Sequence, residues 1–545
     1  MTERPSLASA SVWMALGTIV SRLTGLLRLL LLLWVIGKSL DADLFNSANT
    51  IPNALYILVA GGVFNVVLVP QLIRAMKKGD EEGDAYANRV ITLGLLVLGA
   101  ASVVLMLLVP LLMRLVFASR LFEPELSAQR ESAELLMLLC LPQVFFYGAF
   151  VLVGQVLNAR GRFGPMMWAP IANNVLTCGV LGLYAALFGV SDAADGFTTS
   201  EALLLGLGST AGIALQAAVL APYLRRTGFR FRARFDFRGV GLGHTLRLGA
   251  WTLVFIVANQ VAFIVVNRLA TAATTRAAQE GGQAAGSAVY EIGFLVSQVP
   301  HGVITVSLAT AVMPALAALA ADRAHARMRL ELGRTTRIAL VVIVPIAVAV
   351  ACLGQVAATV LTSYGAVAGN TAIIGHTIQA FALAMVAFTV HYLMLRGFYA
   401  DEDTRTPSFI QIVIAAVNIA VAVTLVAHVE PSQVAMVLAL SYGLAYVVGS
   451  ILSATLLSRR IGRLVDQEMV RFAVRLLVAA GVSALVMLGV VEALEALSVD
   501  TASIAGALLA LVLAGILGAL AFVATCRVVG VTELRYVVTT VLRRG

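Results

Sequence analysis

The chain has 545 residues, of which 60% are hydrophobic and only 12% charged, and its mean hydropathy is +0.94. A soluble protein carries roughly twice that charged fraction, about 25%, so a soluble enzyme or cytosolic binding domain is excluded. The formal charge of +9 is spread over short loops between apolar runs, which points to membrane topology and away from nucleic acid.

Apolar runs of about 20 residues recur from end to end, the signature of membrane-spanning helices. Fourteen spans are predicted, near 11–37, 44–72, 90–115, 132–157, 165–190, 201–223, 246–270, 287–316, 336–361, 371–397, 408–428, 433–457, 471–493 and 501–526. The opening MTERPSLASAS leads straight into the first run with no cleavage pattern, so a retained first helix is expected. With the N-terminus inside, thirty lysines and arginines fall on inside segments and five outside, while Arg22, Arg28 and Arg268 lie within spans. That asymmetry is a positive-inside signal and puts both termini in the cytoplasm.

The chain also repeats itself. Span 2 ends GGVFNVVLVPQLIRAMKKGD, and span 8 ends HGVITVSLATAVMPALAALAAD. The turn from span 4 to span 5, NARGRFGPMMWAPIANNV, has a counterpart in ADEDTRTPSFIQIVIAAVN between spans 10 and 11. The expected fold is therefore an all-α polytopic membrane protein of about fourteen transmembrane helices. Two six-helix lobes are related by a pseudo-twofold axis along the membrane normal, with two extra C-terminal helices. The expected boundaries are 1–224 for the first lobe, 225–245 for a basic cytoplasmic linker and 246–457 for the second lobe. Helices 13 and 14 take 458–527, and a cytoplasmic tail takes 528–545.

Two lobes leave a cleft, and the polar residues inside apolar runs are the candidates to line it. A charge at the bilayer centre costs about 2.5–3.5 kcal/mol even on the mildest scale. Arg22 lies about 16 Å up the first helix from Ser11, and Arg28 about 9 Å further on and roughly 120° round. No acidic residue stands one turn from either. Arginine in that setting suits an anionic group, phosphate above all; pairing with Asp43 or Glu291 is the alternative. In span 2, Asn46, Asn49, Asn53 and Tyr56 fall on one helical face, facing either substrate or neighbouring helices. Pro52 interrupts the same helix. Span 7 adds Gln260, Asn267 and Arg268, and span 8 adds Glu291 and Gln298. His301 and His391 are candidate proton carriers or core side chains. Cys140, Cys178, Cys352 and Cys526 form no CxxC and read as small buried hydrophobes. There is no phosphate-binding GxxxxGK[ST] loop and no metal-ligand spacing, so an enzyme is not expected.

The segments SRLTGLLR, DADLFNSANTIPN, AGGVFNVVLVPQL, VPHGVITVSLATAVMP and RGFYADEDTRTP together resemble the MurJ/MviN family of lipid II flippases, actinobacterial members in particular. That family belongs to the multidrug/oligosaccharidyl-lipid/polysaccharide exporter superfamily. The resemblance implies a protein of the bacterial plasma membrane that moves lipid-linked peptidoglycan precursor from inner to outer leaflet by alternating access. It implies Arg22 and Arg28 as diphosphate contacts and matches Asp43 and Pro52-Asn53 to family positions; Asn49 and Tyr56 of the polar face join them as candidate substrate contacts, with Arg268 as a compensating cation. Relatives carry two further arginines, where this chain has Tyr56 and, close by, Leu295. Some members bind a cation in the second lobe, for which Asp403 and Asn418 are the candidates here. No cofactor is implied; the drive is membrane potential or a gradient of H+ or Na+. Lipid II and the bilayer are the implied partners, with cell-wall synthesis proteins as further ones; a monomer is expected. The alternatives are an exporter of the same fold for a drug or another polyprenyl-linked glycan, and a non-transporting cell-wall scaffold.

Overall fold

The computed structural model describes residues 7–57, 80–190, 192–236, 242–368 and 371–534. Among them the secondary structure is helical, with no strand. In a bilayer core every backbone N–H and C=O needs a partner within the protein, and helices supply one locally. Helices α1 (Leu7–Ile36), α2 (Leu40–Ala48) and α3 (Thr50–Ile57) open the chain, followed by α4 (Asp80–Leu107), α5 (Val109–Val116), α6 (Ser127–Cys140) and α7 (Gln143–Ala159). Then come α8 (Gly164–Phe188), α9 (Thr199–Ala218), α10 (Leu220–Arg226), α11 (Leu242–Glu280) and α12 (Ser287–Pro300). The rest are α13 (Val306–Ala321), α14 (His325–Thr362), α15 (Thr371–Ala400), α16 (Arg405–Val426), α17 (Val434–Ile461), α18 (Gln467–Ala496) and α19 (Ile504–Val528). Thirteen helical segments of the described residues are long and apolar enough to cross a membrane. The remaining expected span, 44–72, begins on α2 and α3; its second half, with the GGVFNVVLVP stretch, lies outside the described residues.

Contacts divide the chain into two compact units, Met1–Ala288 and Val289–Gly545. Both are packed through small residues, which let helices approach where lipid offers no hydrophobic drive. In the first unit α4 and α7 interlock. A Cβ added at Gly94 would sit 2.7 Å from Leu152, and one at Gly148 would run into Leu98. Phe150, Val151 and Leu157 of α7 pack there with Val90, Ile91 and Leu220. In the second unit α14 and α15 exchange a glutamine for a glycine in both directions. Gln379 fills the space beside Gly354, and Gln355 the space beside Gly375; an added Cβ would meet either at 2.5 Å. Each glutamine amide then donates to a carbonyl of the facing helix, Gln379 to Ala351 at 3.0 Å and Gln355 to Ala372 at 3.2 Å. Helices α18 and α19 pack on α14 through Val341, Phe472, Leu476 and Phe522. The outer face of α18 carries Leu477 and Leu485, both more than two-thirds exposed, as helices bordering lipid do.

Candidate functional site

The first unit assembles the polar residues that the sequence singled out, and sorts them. Helix α1 is held to α8 by Asn174, whose amide donates to Ser21 O at 3.1 Å and Thr24 Oγ1 at 2.9 Å. This fixes the turn that carries Arg22, which is half-buried, while Arg28 is exposed. Arg28 is near enough to Tyr147 of α7 and Cys178 of α8 for its charge to act on both. Tyr147 stacks on Tyr56 of α3 with centroids 4.5 Å apart. One turn before Tyr147, Gln143 donates to Asn49 Oδ1 at 2.9 Å, and Ser209 of α9 donates to the same oxygen at 3.1 Å. Tyr147, Tyr56, Gln143 and Asn49 thus form a polar run within the unit, with the Arg28 charge nearby. Asn53, between Asn49 and Tyr56, is exposed. Gln143 and Tyr147 were not among the sequence candidates. The signal was there, since QVFFY places a glutamine and a tyrosine four apart inside an apolar run.

The remaining candidates have other partners. Asn46 donates to Ser287 Oγ at 3.3 Å, and Asn267 donates to Ser47 Oγ at 3.1 Å. Asp43 is fully buried. It accepts from Ser287 N at 3.0 Å, Ala288 N at 2.9 Å, Ser287 Oγ at 3.0 Å and Thr274 Oγ1 at 2.9 Å. Those backbone N–H groups open α12, where a carboxylate is the natural cap. The alternative of pairing between Asp43 and the α1 arginines is thereby set aside, because Asp43's oxygens are occupied. Arg268 donates to Arg114 O and to Ser119 Oγ, so it ties α11 to the end of α5.

Near Asp43, the α1–α2 turn meets the loop between α8 and α9 through two further aspartates, Asp41 and Asp192. Asp192 accepts from the N–H groups of Lys38 and Ser39, both at 2.7 Å, and Asp41 accepts from Gly196 N at 2.9 Å. Burial first, then the charges of Asp195, Glu201 and Asp192, push the Asp41 carboxyl up to about 7 against the opposing Gly196 bond. An unfolded aspartate titrates near 3.9, so between pH 4 and 7 the folded chain holds the extra proton and stability falls as pH rises. The purified protein is expected to unfold with on the order of 2 kcal/mol more stability at pH 5 than at pH 8. Asp41→Asn keeps the Gly196 bond and should flatten that slope. Equal slopes in thermal unfolding of both proteins would remove the assignment.

In the second unit the two cation candidates do not come together. Asp403 precedes α16 and accepts from the N–H groups of Arg405 and Thr406 at 2.8 and 3.0 Å, and it pairs with Arg460 at 2.6 Å. Burial works to raise its carboxyl, but the Thr406 and Arg460 bonds outweigh it and hold Asp403 below the usual carboxylate range. Asn418 lies about 20 Å along the same helix and accepts from Ser441 Oγ at 3.0 Å. One ion cannot touch both. Among the described residues no group of three or more His, Cys, Asp or Glu side chains is placed to hold a metal ion. His391 is buried, with Nδ1 3.3 Å from Ser453 Oγ, and the His301 ring lies 4.3 Å from Phe388 in a π-helical turn, His301–Thr305.

Residues 34–526 match the family model described as lipid II flippase MurJ. The chain belongs to the lipid II flippase MurJ family. Two relatives named "Probable lipid II flippase MurJ" illustrate the distance. The one from Rhizobium meliloti (strain 1021) is 26% identical over 421 residues, covering 77% of this chain and 75% of that protein. The one from Haemophilus influenzae (strain ATCC 51907 / DSM 11121 / KW20 / Rd) is 26% identical over 414 residues, covering 74% and 77%. Among solved structures, the fold matches "Lipid II flippase MurJ, inward closed conformation" with a TM-score of 0.70 at 18% identity, over 94% of this chain and 98% of that one. An inward-facing multidrug resistance transporter of the MATE family matches with a TM-score of 0.63 at 15% identity, over 82% and 99%. The MurJ family match begins at residue 34, so Arg22 and Arg28 precede it.

Proposed function

We propose that this chain moves lipid II, the lipid-linked peptidoglycan precursor, from the inner to the outer leaflet of a bacterial plasma membrane. The observation that carries the reading is the family match over residues 34–526. The polar run of the first unit supplies the chemistry. Arg22 and Arg28 contact the diphosphate, the group that arginine's fork fits. Tyr56, Asn53 and Tyr147 offer hydroxyl, amide and ring surface to the sugar-pentapeptide head. Asn49 is held by Gln143 and Ser209 and keeps the α2–α3 junction in register with α7 and α9. Asp43 and Arg268 act one step back, by fixing the start of α12 and the outer end of α11.

The two six-helix repeats work by alternating access, and the polyprenyl tail stays in lipid. No bond is made or broken, so the protein is a transporter and not an enzyme. Membrane potential or an ion gradient drives it; a potential supplies about 2.3 kcal/mol per charge per 100 mV. Both termini are cytoplasmic, the protein acts as a monomer, and wall-synthesis proteins are its expected neighbours. Two measurements test the reading. The chain should restore growth to a bacterium depleted of its own flippase, and purified protein in vesicles should translocate fluorescent lipid II. Failure in both, with the protein folded and inserted, overturns it.

A further inference from the structure

The basic linker is built onto the first unit. After α10 the chain reads TGFRFRARFD, and it lies as a strap across α4. Arg232 N donates to Asn88 Oδ1 at 2.8 Å, and Arg234 N donates to Thr92 Oγ1 at 3.1 Å. The spacing explains the match. Two residues of extended chain advance about 6.6 Å, and the four residues from Asn88 to Thr92 rise about 6 Å along a helix. Arg89 pairs with Asp236 at 2.6 Å beyond the second bond. At the other end Phe229 is buried in the α4–α7 core. Arg160 lies over its ring at 5.2 Å and donates to Thr227 O at 2.8 Å.

Beside the strap is a groove of about 690 Å³. Its floor is apolar, with Ile91 and Leu95 of α4, Val153 of α7 and Leu224 of α10. Its rim is cationic, with Arg225 and Arg230, and Phe231 forms one wall. Both arginines are exposed, and among the described residues no carboxylate pairs with either. The one acid of the strap, Asp236, is taken by Arg89. Arg226, Arg232 and Arg234 add to the same positive field. Away from the groove, α4 turns Leu96 and Val97 outward, both at least half exposed, so the helix that floors the groove also has a face suited to acyl chains.

We propose that this groove binds an anionic phospholipid of the inner leaflet, with its phosphate between Arg225 and Arg230 and the start of an acyl chain along α4 and α7. A free anion would leave the apolar floor uncovered. A zwitterionic lipid would bring its own cation to a rim that already holds two. The volume suits a headgroup with part of a chain, and basic pockets at the cytoplasmic ends of helices are where such lipids bind. The strap, pinned before any lipid arrives, loses little freedom when one does.

The test is native mass spectrometry of the full chain in detergent, titrated with phosphatidylglycerol or phosphatidylcholine of the same acyl chains. The wild type should retain phosphatidylglycerol about tenfold more tightly, as expected for basic side chains at an anionic surface. Arg225→Gln combined with Arg230→Gln should reduce it to the phosphatidylcholine level without moving the thermal transition measured in phosphatidylcholine. Arg323→Gln combined with Arg327→Gln, an equal charge loss elsewhere, should have no such effect. Val153→Trp fills the floor with both arginines in place and should also abolish the bound lipid. Equal retention of the two lipids, or retention by the Arg225/Arg230 variant, overturns the proposal. Displacement of the lipid by inorganic phosphate alone overturns it as well, because the floor would then contribute nothing.

Discussion

Replacing Arg22 and Arg28 together with alanine is expected to lower lipid II flux about a hundredfold in a vesicle assay, in protein that still folds and inserts. A charge-assisted hydrogen bond contributes about 1.5–3 kcal/mol, and 1.36 kcal/mol is a tenfold change in rate. Each arginine should therefore count for about tenfold or more. The effect should exceed that of one arginine in relatives with four, because Tyr56 and Leu295 stand near two of those positions here. Stability separates this reading from a structural one. Arg28 is exposed within a membrane helix, and removing a charge from that setting costs nothing and relieves desolvation. Arg28→Ala alone should melt at or above the wild-type temperature. Arg28→Lys should fall between, since an ammonium keeps the charge but loses the planar fork. Flux at the unmutated rate in the double variant sinks the role of these arginines in phosphate capture.

The second large effect is on folding. Asp43→Ala should destabilise the first unit by about 3 kcal/mol or more. Four buried donors converge on this carboxylate. The hydroxyl of Thr274 has Thr271 O as a second acceptor at 3.1 Å, so it re-pairs when Asp43 is removed. The N–H groups of Ser287 and Ala288 have no such choice, and an orphaned buried donor costs about 1–3 kcal/mol. Asp43→Asn should recover only part of the loss, because its amide turns donors toward donors. Gly286→Ala should be damaging for a different reason, since its Cβ would overlap Asp43 Oδ2. The measurement is thermal unfolding together with hydrogen exchange at the Ser287 and Ala288 amides. Wild-type melting and protection in Asp43→Ala would show that the cap is dispensable.

These two residues show how differently the sequence served for fold and for site. The membrane class, the helical fold and the spans could be read directly, because each is set by hydrophobicity summed over about 20 residues and local errors average out. The arginines of α1 stood out for the same reason, as charges against an apolar background. The polar stripe of span 2 was legible as a stripe, but a helical face does not say what it meets. Folding sends Asn46 to Ser287, Asn49 to Gln143 and Ser209, and Tyr56 to Tyr147, and leaves Asn53 exposed.

The linker RRTGFRFRARFDFRG reads as a solvated basic loop from charge alone. That it is a strap depends on Asn88 and Thr92 lying one helical turn apart on α4, more than 130 residues earlier in the chain. Asp403 and Asn418 looked compatible with one ion as residue types, yet the rise of α16 separates them. Hydropathy, charge asymmetry and repeat are properties of the chain as a string, and the string by itself determined them. Which donor meets which acceptor depends on how helices distant in sequence are turned and spaced, and only the tertiary structure decided that.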